Sequence, residues 1–435
     1  MRPNGVIAAL SPARDLCERS SPVNISPDIR VLFSTRIIRL FCYGLVSVVL
    51  ALYLVEAGLD ERQVGLLFSF TLAGDAGITL WMTTSADTFG RRRILRIGAL
   101  LMLISGAVFM ASDNFAVLLL AAVFGVISPH GKEIGPFLSV EQAALSQLVR
   151  DGERTQVFAW YNLAGSMAAA FGALGGGWLA QLLEASGFPS IQAYRAVLLG
   201  YVLGGIALLV LFMGLSPRVE AAGGVEPAPA GRVLGLHRSR NTVAKLSALF
   251  ALDAFGGGLI VQSMLAYWFY IKFGADTGAI GSIFFAANLL AALSALAAAW
   301  LARRIGLINT MIFTHLPSNV LLMLVPFMPT MPLAIGALLM RFSISQMDVP
   351  TRQSYTMAVV APDERSAASG VTTIARSVGA AISPALTGLF LSVPALLSLP
   401  FLLAGAVKLV YDGLLYINFR RAKPPEEHNQ AAPPS

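Results

Sequence analysis

Charged side chains are scarce in this sequence. Asp, Glu, Lys and Arg make up 13% of its 435 residues, whereas soluble domains contain about 25%. Hydrophobic residues reach 56%, and the mean hydropathy is +0.70. This shortage of charge excludes an ordinary soluble enzyme, because too little polar surface is present to cover a folded core. We therefore predict a multi-span membrane protein that is surrounded by the lipid bilayer.

Cysteine and histidine are also rare, with two and four residues respectively. Cys17 lies in a polar stretch and Cys42 in an apolar one, so the sequence offers neither a disulfide framework nor the spacing of a zinc site. It also lacks the phosphate-binding loop of ATP-driven pumps and the H-E-x-x-H pattern of metalloenzymes. We therefore predict no metal, no cofactor and no enzymatic activity.

Long apolar segments are what the sequence has in abundance. A membrane-spanning helix needs roughly 20 apolar residues, and the alternating ten-residue segments of a membrane barrel are not found in the sequence. We number the twelve apolar segments spans 1 to 12, at about 35–57, 63–86, 94–111, 115–147, 156–183, 194–215, 243–271, 278–302, 310–329, 331–359, 366–392 and 395–419. The predicted fold is therefore an all-α membrane protein with twelve transmembrane helices.

Lys and Arg are distributed unevenly between the loops. A net charge of +7 can indicate nucleic acid binding, but here the basic residues form short clusters, such as Arg91–Arg93, that follow even-numbered spans. Cytoplasmic loops carry an excess of Lys and Arg. Both termini are therefore predicted to be cytoplasmic, in the plasma (inner) membrane, and no nucleic acid partner is expected.

The sequence divides into two similar halves. Glu153-Arg154 and Glu364-Arg365 each stand between a long span and a Gly-rich span, 211 residues apart, and Glu141 falls on Arg352 at the same offset. This repeat predicts two pseudo-symmetric six-helix bundles, joined by a Pro- and Gly-rich linker. The predicted divisions are a cytoplasmic tail 1–34, a bundle 35–215, the linker 216–242, a second bundle 243–419 and a cytoplasmic tail 420–435.

The loop between spans 2 and 3 carries a distinctive motif, Thr83-Thr84-Ser85-Ala86-Asp87-Thr88-Phe89-Gly90-Arg91-Arg92-Arg93. It resembles the G-x-x-x-D-x-x-G-R-K/R-x loop of the major facilitator superfamily, with Thr83 in place of the first glycine. The resemblance covers essentially the whole chain and implies a transporter with a central cavity between two bundles. It also implies a cytoplasmic gate made of Asp87, Gly90, Arg91, Arg92 and Arg93. For the arginines, the alternative is simple anchoring at the cytoplasmic side of the membrane.

Span 5 contains a run of small residues, Gly172-Ala173-Leu174-Gly175-Gly176-Gly177. The run resembles the G-P-x-x-G-G motif of antiporters in the same superfamily, with Ala173 in place of proline. The resemblance implies that Gly172, Gly176 and Gly177 belong to a motif of export coupled to proton entry. Close packing of helices through small residues is an equally good interpretation.

Seven charged residues stand well inside the predicted spans, where each needs a partner or a water-filled cavity. These candidates for a substrate or proton path are Asp75, Lys132, Glu133, Asp253, Arg341, Asp348 and Arg376. In the superfamily that the chain resembles, the spans that carry them line or flank the cavity. The carboxylates are candidate proton carriers, and Glu133 is preferred because Gly and Pro disrupt the helix around it.

The same charges could instead lock helices together as structural ion pairs. Lys132 could pair with Asp75, and Arg341 could pair with Asp348. In span 12, Lys408 and Asp412 are four residues apart and are expected to pair with each other. Arg36 and Arg39 stand near the inner end of span 1 and are expected to reach the membrane interface. His315 and Asn319 in span 9 are interpreted as helix-packing groups.

Together these features predict a secondary transporter that works by alternating access, with a small-molecule substrate and protons as partners. The partial span 5 motif favours efflux of a small organic compound or drug by proton antiport. The alternative is proton-coupled uptake of an anionic metabolite, for which Lys132, Arg341 and Arg376 supply counter-charges. A non-transporting sensor or a lipid-handling protein on the same fold is a third hypothesis.

Overall fold

The structure is a computed structural model that describes residues 26–133, 137–150, 153–220 and 236–419. The predicted tail 420–435, and most of the tail 1–34 and of the linker 216–242, lie outside these residues. Within them the chain forms fifteen α-helices. They are α1 (Pro27–Glu56), α2 (Glu61–Phe89), α3 (Arg91–Ala111), α4 (Phe115–Phe124), α5 (Phe137–Leu148), α6 (Arg154–Ala185), α7 (Ser190–Met213), α8 (Arg240–Gly258), α9 (Gln262–Phe273), α10 (Thr277–Ile305), α11 (Leu307–Leu324), α12 (Met331–Ser345), α13 (Asp348–Ala358), α14 (Arg365–Leu391) and α15 (Leu399–Phe419).

These helices correspond to the twelve predicted spans, and ten of the described segments, all but spans 4 and 10, are long and apolar enough to cross a membrane. Span 4 consists of α4 and α5, span 7 of α8 and α9, and span 10 of α12 and α13, while each other span is one helix. No strand occurs in the described part of the chain. The prediction of an all-α membrane protein with two six-helix bundles is confirmed.

The interruption of span 4 follows from its glycine and proline residues. After α4 the chain runs through Gly125, Pro129 and Gly131, and Gly131 has a left-handed φ of 63° that glycine adopts most readily. The backbone N–H of Ser263 donates to the freed carbonyl of Pro129 at 3.0 Å. Irregular backbone at membrane depth is tolerated where it is buried in protein or lines a cavity. Here it places Lys132 beside a cavity.

Within each half, the first span packs closely on the fifth through glycines. Gly44 lies against the span 5 backbone, and Gly172 and Gly176 lie against carbonyls of α1, without room for a Cβ atom at any of the three. In the second half Gly379 lies equally close to Ala251. These contacts support the packing interpretation of the span 5 motif, and a role in antiport stays a prediction.

The molecule has two ends that differ in how the halves meet. We call the end that holds the start of α1 and the end of α15 the termini face, and the opposite end the far face. Toward the far face, Gly65 of α2 meets α14, where an added Cβ would lie 2.5 Å from Pro384 O and 2.8 Å from Gly388 Cα. Gly177 of α6 likewise meets Gly281 of α10. The halves are therefore tightly packed on the far face.

Hydrogen bonds between the halves add to this seal. Gln262 Nε2 donates to Ser47 Oγ at 2.8 Å, and the hydroxyl of Tyr267 donates to Glu61 at 2.7 Å. Polar side chains nearer the termini face are exposed instead, namely Gln353, Ser354 and Thr373. The halves are therefore in close contact toward the far face, while polar side chains of the second half are exposed toward the termini face.

Candidate functional site

A cavity of about 370 Å³ lies where the interruptions of spans 4, 7 and 10 meet. Its ionisable lining residues are His130, Lys132, Glu133, Asp253, His315, Arg341, Asp348, Arg352, Arg376 and Lys408. The sequence-predicted path residues lie here with the exception of Asp75, which is half-buried in α2 beside Thr79, at 3.3 Å. The fold thus brings together charges that are far apart in the sequence.

One group of buried charges belongs to the first half, and we call it the Glu141 cluster: Arg36, Arg39, Glu133 and Glu141. Arg39 donates to both carboxylates, at 2.8 Å to Glu133 and 2.6 Å to Glu141. Arg36 donates to Glu133 at 2.8 Å, and the Tyr161 hydroxyl donates to Glu141. Two cations and two carboxylates make the described cluster neutral.

Arg36 and Arg39 correct the sequence interpretation. Their position near the end of span 1 suggests that they reach the membrane interface, but their side chains are only 7% and 0% exposed. The chain begins its helix at Pro27 rather than near residue 35, which moves both arginines deeper into the bundle. Glu141 is not among the sequence-predicted site residues, although the 211-residue offset that pairs it with Arg352 is a signal that could have found it.

A second group of charges belongs to the second half, and Asp253 lies at its centre. Lys408 Nζ is 2.5 Å from Asp253 Oδ1, and the guanidinium groups of Arg352 and Arg376 are each 3.1 Å from Asp253 Oδ2. Arg352 also binds Asp348 at 2.8 Å. Span 7 thereby holds spans 10, 11 and 12 together through one carboxylate.

His315 and Asp412 complete this second group. His315 Nδ1 lies 2.7 Å from Asp412, and His315 Nε2 lies 3.7 Å from Asp253. Asn319 donates to the other oxygen of Asp412 at 3.0 Å. The predicted pair of Lys408 with Asp412 is replaced by Lys408 with Asp253, since span 12 packs against span 7 at this level. We call Asp253, Asp348, Asp412, Arg352, Arg376, Lys408 and His315 the Asp253 cluster.

Two cations that line the cavity belong to neither cluster. Among the described side chains, no carboxylate lies within 4 Å of Lys132 or Arg341. Asp348, the expected partner of Arg341, binds Arg352 instead. The Nε of Arg341 is buried without a hydrogen-bond partner in the described chain, and its guanidinium lies over the Phe342 ring at 4.9 Å. An anion in the cavity would find both cations available.

The described residues contain no group of three or more His, Cys, Asp and Glu side chains that could hold a metal ion. The carboxylates of both clusters are bound by arginine and lysine side chains, which compete with a metal for the same oxygen atoms. The carboxylates of both clusters are therefore already engaged by cationic side chains of the protein.

The motif between spans 2 and 3 forms a tight connection at the termini face. Gly90 joins α2 to α3 with a left-handed φ of 94°, which favours glycine. The backbone N–H groups of Arg91 and Arg92 donate to Glu220, at 2.7 and 3.4 Å. The side chain of Asp87 lies outside the described residues. The cytoplasmic gate therefore stays a prediction for Asp87, Gly90, Arg91, Arg92 and Arg93.

Glu364 ties the start of the second half to the loop before α14. Its carboxylate accepts hydrogen bonds from the backbone N–H groups of His237, Arg238 and Ser239, the last two at 2.8 Å. Desolvation raises the pKa of Glu364, but these bonds and the Ser239 side chain outweigh it and lower the pKa to about 2. The carboxylate is therefore ionised at any physiological pH and anchors the end of the linker.

Comparison with known sequences points to one family. The family model of the Major Facilitator Superfamily matches residues 32–384 and 246–435. An uncharacterized membrane protein of Saccharomyces cerevisiae is 31% identical over 423 residues, which cover 91% of this chain and 94% of the yeast protein. The quinolone resistance protein NorA of Staphylococcus aureus is 36% identical over 85 residues, which cover 20% of this chain and 22% of NorA.

A solved structure shows the same fold. It is a bacterial homologue of the human lysosomal transporter Spinster, in an inward-facing and unoccupied conformation. The superposition has a TM-score of 0.66 at 15% identity and covers 89% of this chain and 94% of the Spinster homologue. With the family model and the yeast relative, this architecture establishes that the chain belongs to the major facilitator superfamily.

Proposed function

We propose that this protein is a secondary transporter of a small anionic solute, which binds in the central cavity between Lys132 and Arg341. The single observation that carries the proposal is the local charge balance. The Glu141 cluster and the Asp253 cluster each contain equal numbers of cations and carboxylates when His315 is neutral. Lys132 and Arg341 are then the uncompensated charges of the described cavity lining.

An unpaired cation at membrane depth is energetically unfavourable. Insertion scales assign about 2.5–3.5 kcal/mol to an Arg or Lys at the centre of the bilayer. A bound anion would offset part of this free energy through hydrogen bonds to charged groups. The substrate therefore supplies the negative charge that the cavity lacks.

The two cations come from different halves of the molecule. Lys132 stands in the interruption of span 4, and Arg341 lies on α12 of span 10. An anion that touches both would bind most tightly when the halves are correctly placed around it. Such differential affinity is what a ligand needs in order to shift the equilibrium between two conformations.

We place both termini in the cytoplasm because of the basic loops, so that the far face is extracellular. On this assignment the halves are in close contact toward the extracellular side. Transport would then require the contacts of Gly65 and Gly177 on the far face to separate while the termini face closes, as in the rocking of two bundles around a fixed site.

The proposal is tested by the binding of solutes of different charge to the purified full-length protein. Sulfate and benzenesulfonate should raise the apparent melting temperature, whereas choline and glucose should not. Lys132→Gln and Arg341→Gln should each weaken anion binding about tenfold or more, because each removes a charge-assisted hydrogen bond. Lys272→Gln and Arg304→Gln, which remove cations outside the cavity lining, are the matched controls.

Two results would contradict this assignment. Stabilisation by choline but not by sulfate would show a cavity for cations. Equal anion affinity in the cavity variants and in the controls would show that the anion binds elsewhere. If anions bind but labelled anion never exchanges across proteoliposome membranes, the protein is a sensor on the transporter fold.

A second candidate function is efflux of a small organic compound. The likeness to the quinolone resistance protein over 85 residues and the Gly172, Gly176 and Gly177 run favour it. Deletion of the gene distinguishes the two functions. Export predicts that the deleted cells become sensitive to a toxic compound, whereas anion uptake predicts that they lose an anionic growth substrate.

A further inference from the structure

We propose that His315, oriented by Asp412, is the proton-binding residue of this transporter, and that its protonation strengthens anion binding in the cavity. The inference rests on the proposed anion transport and assigns its coupling ion and coupling site. The observation behind it is the charge of the Asp253 cluster. Three carboxylates face three permanent cations in the described chain, so the cluster is neutral only while His315 is neutral.

The geometry of His315 leaves one ring nitrogen available for a proton. Asp412 lies 2.7 Å from Nδ1 and therefore holds the hydrogen of the neutral ring at that atom. Nε2 faces Asp253 at 3.7 Å. A proton taken up at Nε2 would point at the carboxylate that already binds Lys408, Arg352 and Arg376.

The surroundings of His315 are charged on several sides. The ring of Tyr411 meets it edge-on at 5.8 Å. Span 9 packs against spans 7, 8, 10 and 12, and span 11 adds to the same cavity. The titratable and charged groups on these elements at the level of His315 are Asp253, Arg341, Asp348, Arg352, Arg376, Lys408, Tyr411 and Asp412, while Arg303 and Arg304 of span 8 lie at the termini face.

Protonation at Nε2 gives the cluster one uncompensated positive charge and a fourth donor for Asp253. Of the cations already bound there, Arg376 is 35% exposed, whereas Arg352 and Lys408 are 8% and 9% exposed. Of the three cations, Arg376 is therefore the one whose solvation changes least when it turns from Asp253 to a solute in the cavity. One proton and one unit of negative charge then bind together.

This arrangement makes proton binding and anion binding mutually favourable. If a proton on His315 tightens anion binding by a given factor, a bound anion tightens proton binding by the same factor. Of the carboxylates predicted from the sequence as proton carriers, Glu133, Asp253 and Asp348 are occupied by ion pairs.

The proton site is tested first without any solute. In full-length protein with labelled histidine, the ring signal that disappears in His315→Gln identifies His315 among the four histidines. Followed between about pH 5 and pH 8, it should show the uptake of a proton at Nε2. Asp412→Asn, which is isosteric and keeps the imidazole, should alter this response, because it removes the negative charge beside Nδ1. A His315 signal that stays in one form over this range overturns the inference.

The coupling is tested with sulfate and benzenesulfonate, whose own charges do not change in this range. The wild type should bind them at least about fivefold more tightly at about pH 5.5 than at pH 8. His315→Gln should bind with the weaker affinity at both pH values. His237→Gln, which changes a histidine outside the cavity lining, should keep the wild-type pH dependence.

The outcomes separate the two proposals. An unchanged pH dependence in His315→Gln, with binding intact, overturns the proton site and leaves anion transport standing. If the His315 signal responds to pH but neither the wild type nor any variant binds an anion, the proposed function is contradicted instead. If His315→Gln fails to fold, Asp412→Asn decides the question: an altered pH dependence of anion binding supports the proton site, and an unchanged one overturns it.

Discussion

At the scale of single residues, burial makes the ion pairs of this protein important for the stability of its fold. Arg39 is completely buried and binds two carboxylates, of which Glu141 is also completely buried. Removing one partner of such a pair leaves an uncompensated charge in a low-dielectric interior, which destabilises by about 3–5 kcal/mol. Exposed pairs contribute about 0–1 kcal/mol.

The substitution Glu141→Gln should therefore lower the apparent melting temperature markedly, because the amide cannot neutralise Arg39. The control is Asp113→Asn, which breaks an ion pair with Arg195 whose members are 52% and 37% exposed. Thermal unfolding of both variants in the same detergent measures the difference. Equal melting temperatures for the two variants would contradict the structural role of the Glu141 cluster.

Which residues are charged at membrane depth could be predicted from the sequence, but their partners could not. Lys132, Asp253 and Arg376 stand out because a charge inside an apolar segment requires a special environment. The partners come from distant helices: Glu133 lies 94 residues from Arg39, and Lys408 lies 155 residues from Asp253. Spacing within one helix indicates only local pairs, so the expected pair of Lys408 with Asp412 was replaced by a tertiary contact.

At the scale of helices, the interruptions of spans 4, 7 and 10 create the cavity. The break in span 4 could be expected from Pro129 and Gly131. The break in span 10 falls at Gln346 and Met347, between α12 and α13, and contains neither glycine nor proline. Hydropathy predicts spans 4 and 10 as continuous segments, because it measures how apolar a segment is and not whether its helix is continuous.

The far-face seal between α2 and α14 should control which side of the cavity is open. Gly65→Val places a branched side chain where even a Cβ lies 2.5 Å from Pro384 O. The variant should separate the halves on the far face and populate the alternative conformation. Gly77→Val is the control on the same helix, since an added Cβ at Gly77 meets nothing within 4 Å.

Spin labels at Asp113→Cys and Thr330→Cys, in a background without the native cysteines, measure this separation across the far face. The two sites are exposed and lie in different halves. The distance distribution should gain a longer component in Gly65→Val and remain as in the parent protein in Gly77→Val. An unchanged distribution in Gly65→Val would contradict a sealing role for this contact.

At the scale of the whole molecule, the two halves are similar in packing but different in charge. In both halves glycines bring the first span against the fifth, although the glycines stand at different positions in the two halves. Yet Glu141 occupies the position that Arg352 holds in the second half. The sequence repeat predicts the two bundles and shows the exchange of Glu141 for Arg352. It does not show which buried charges pair with each other, because the partners lie on helices that are distant in the sequence.

The proposed anion site lies between Lys132 and Arg341. A structure of the full-length protein with selenate or with rubidium, each located by its anomalous scattering, would show directly which ion occupies it. We expect selenate in the cavity, in contact with both side chains, and no rubidium there. Rubidium in the cavity, or selenate bound only at the protein surface, would contradict the proposed site.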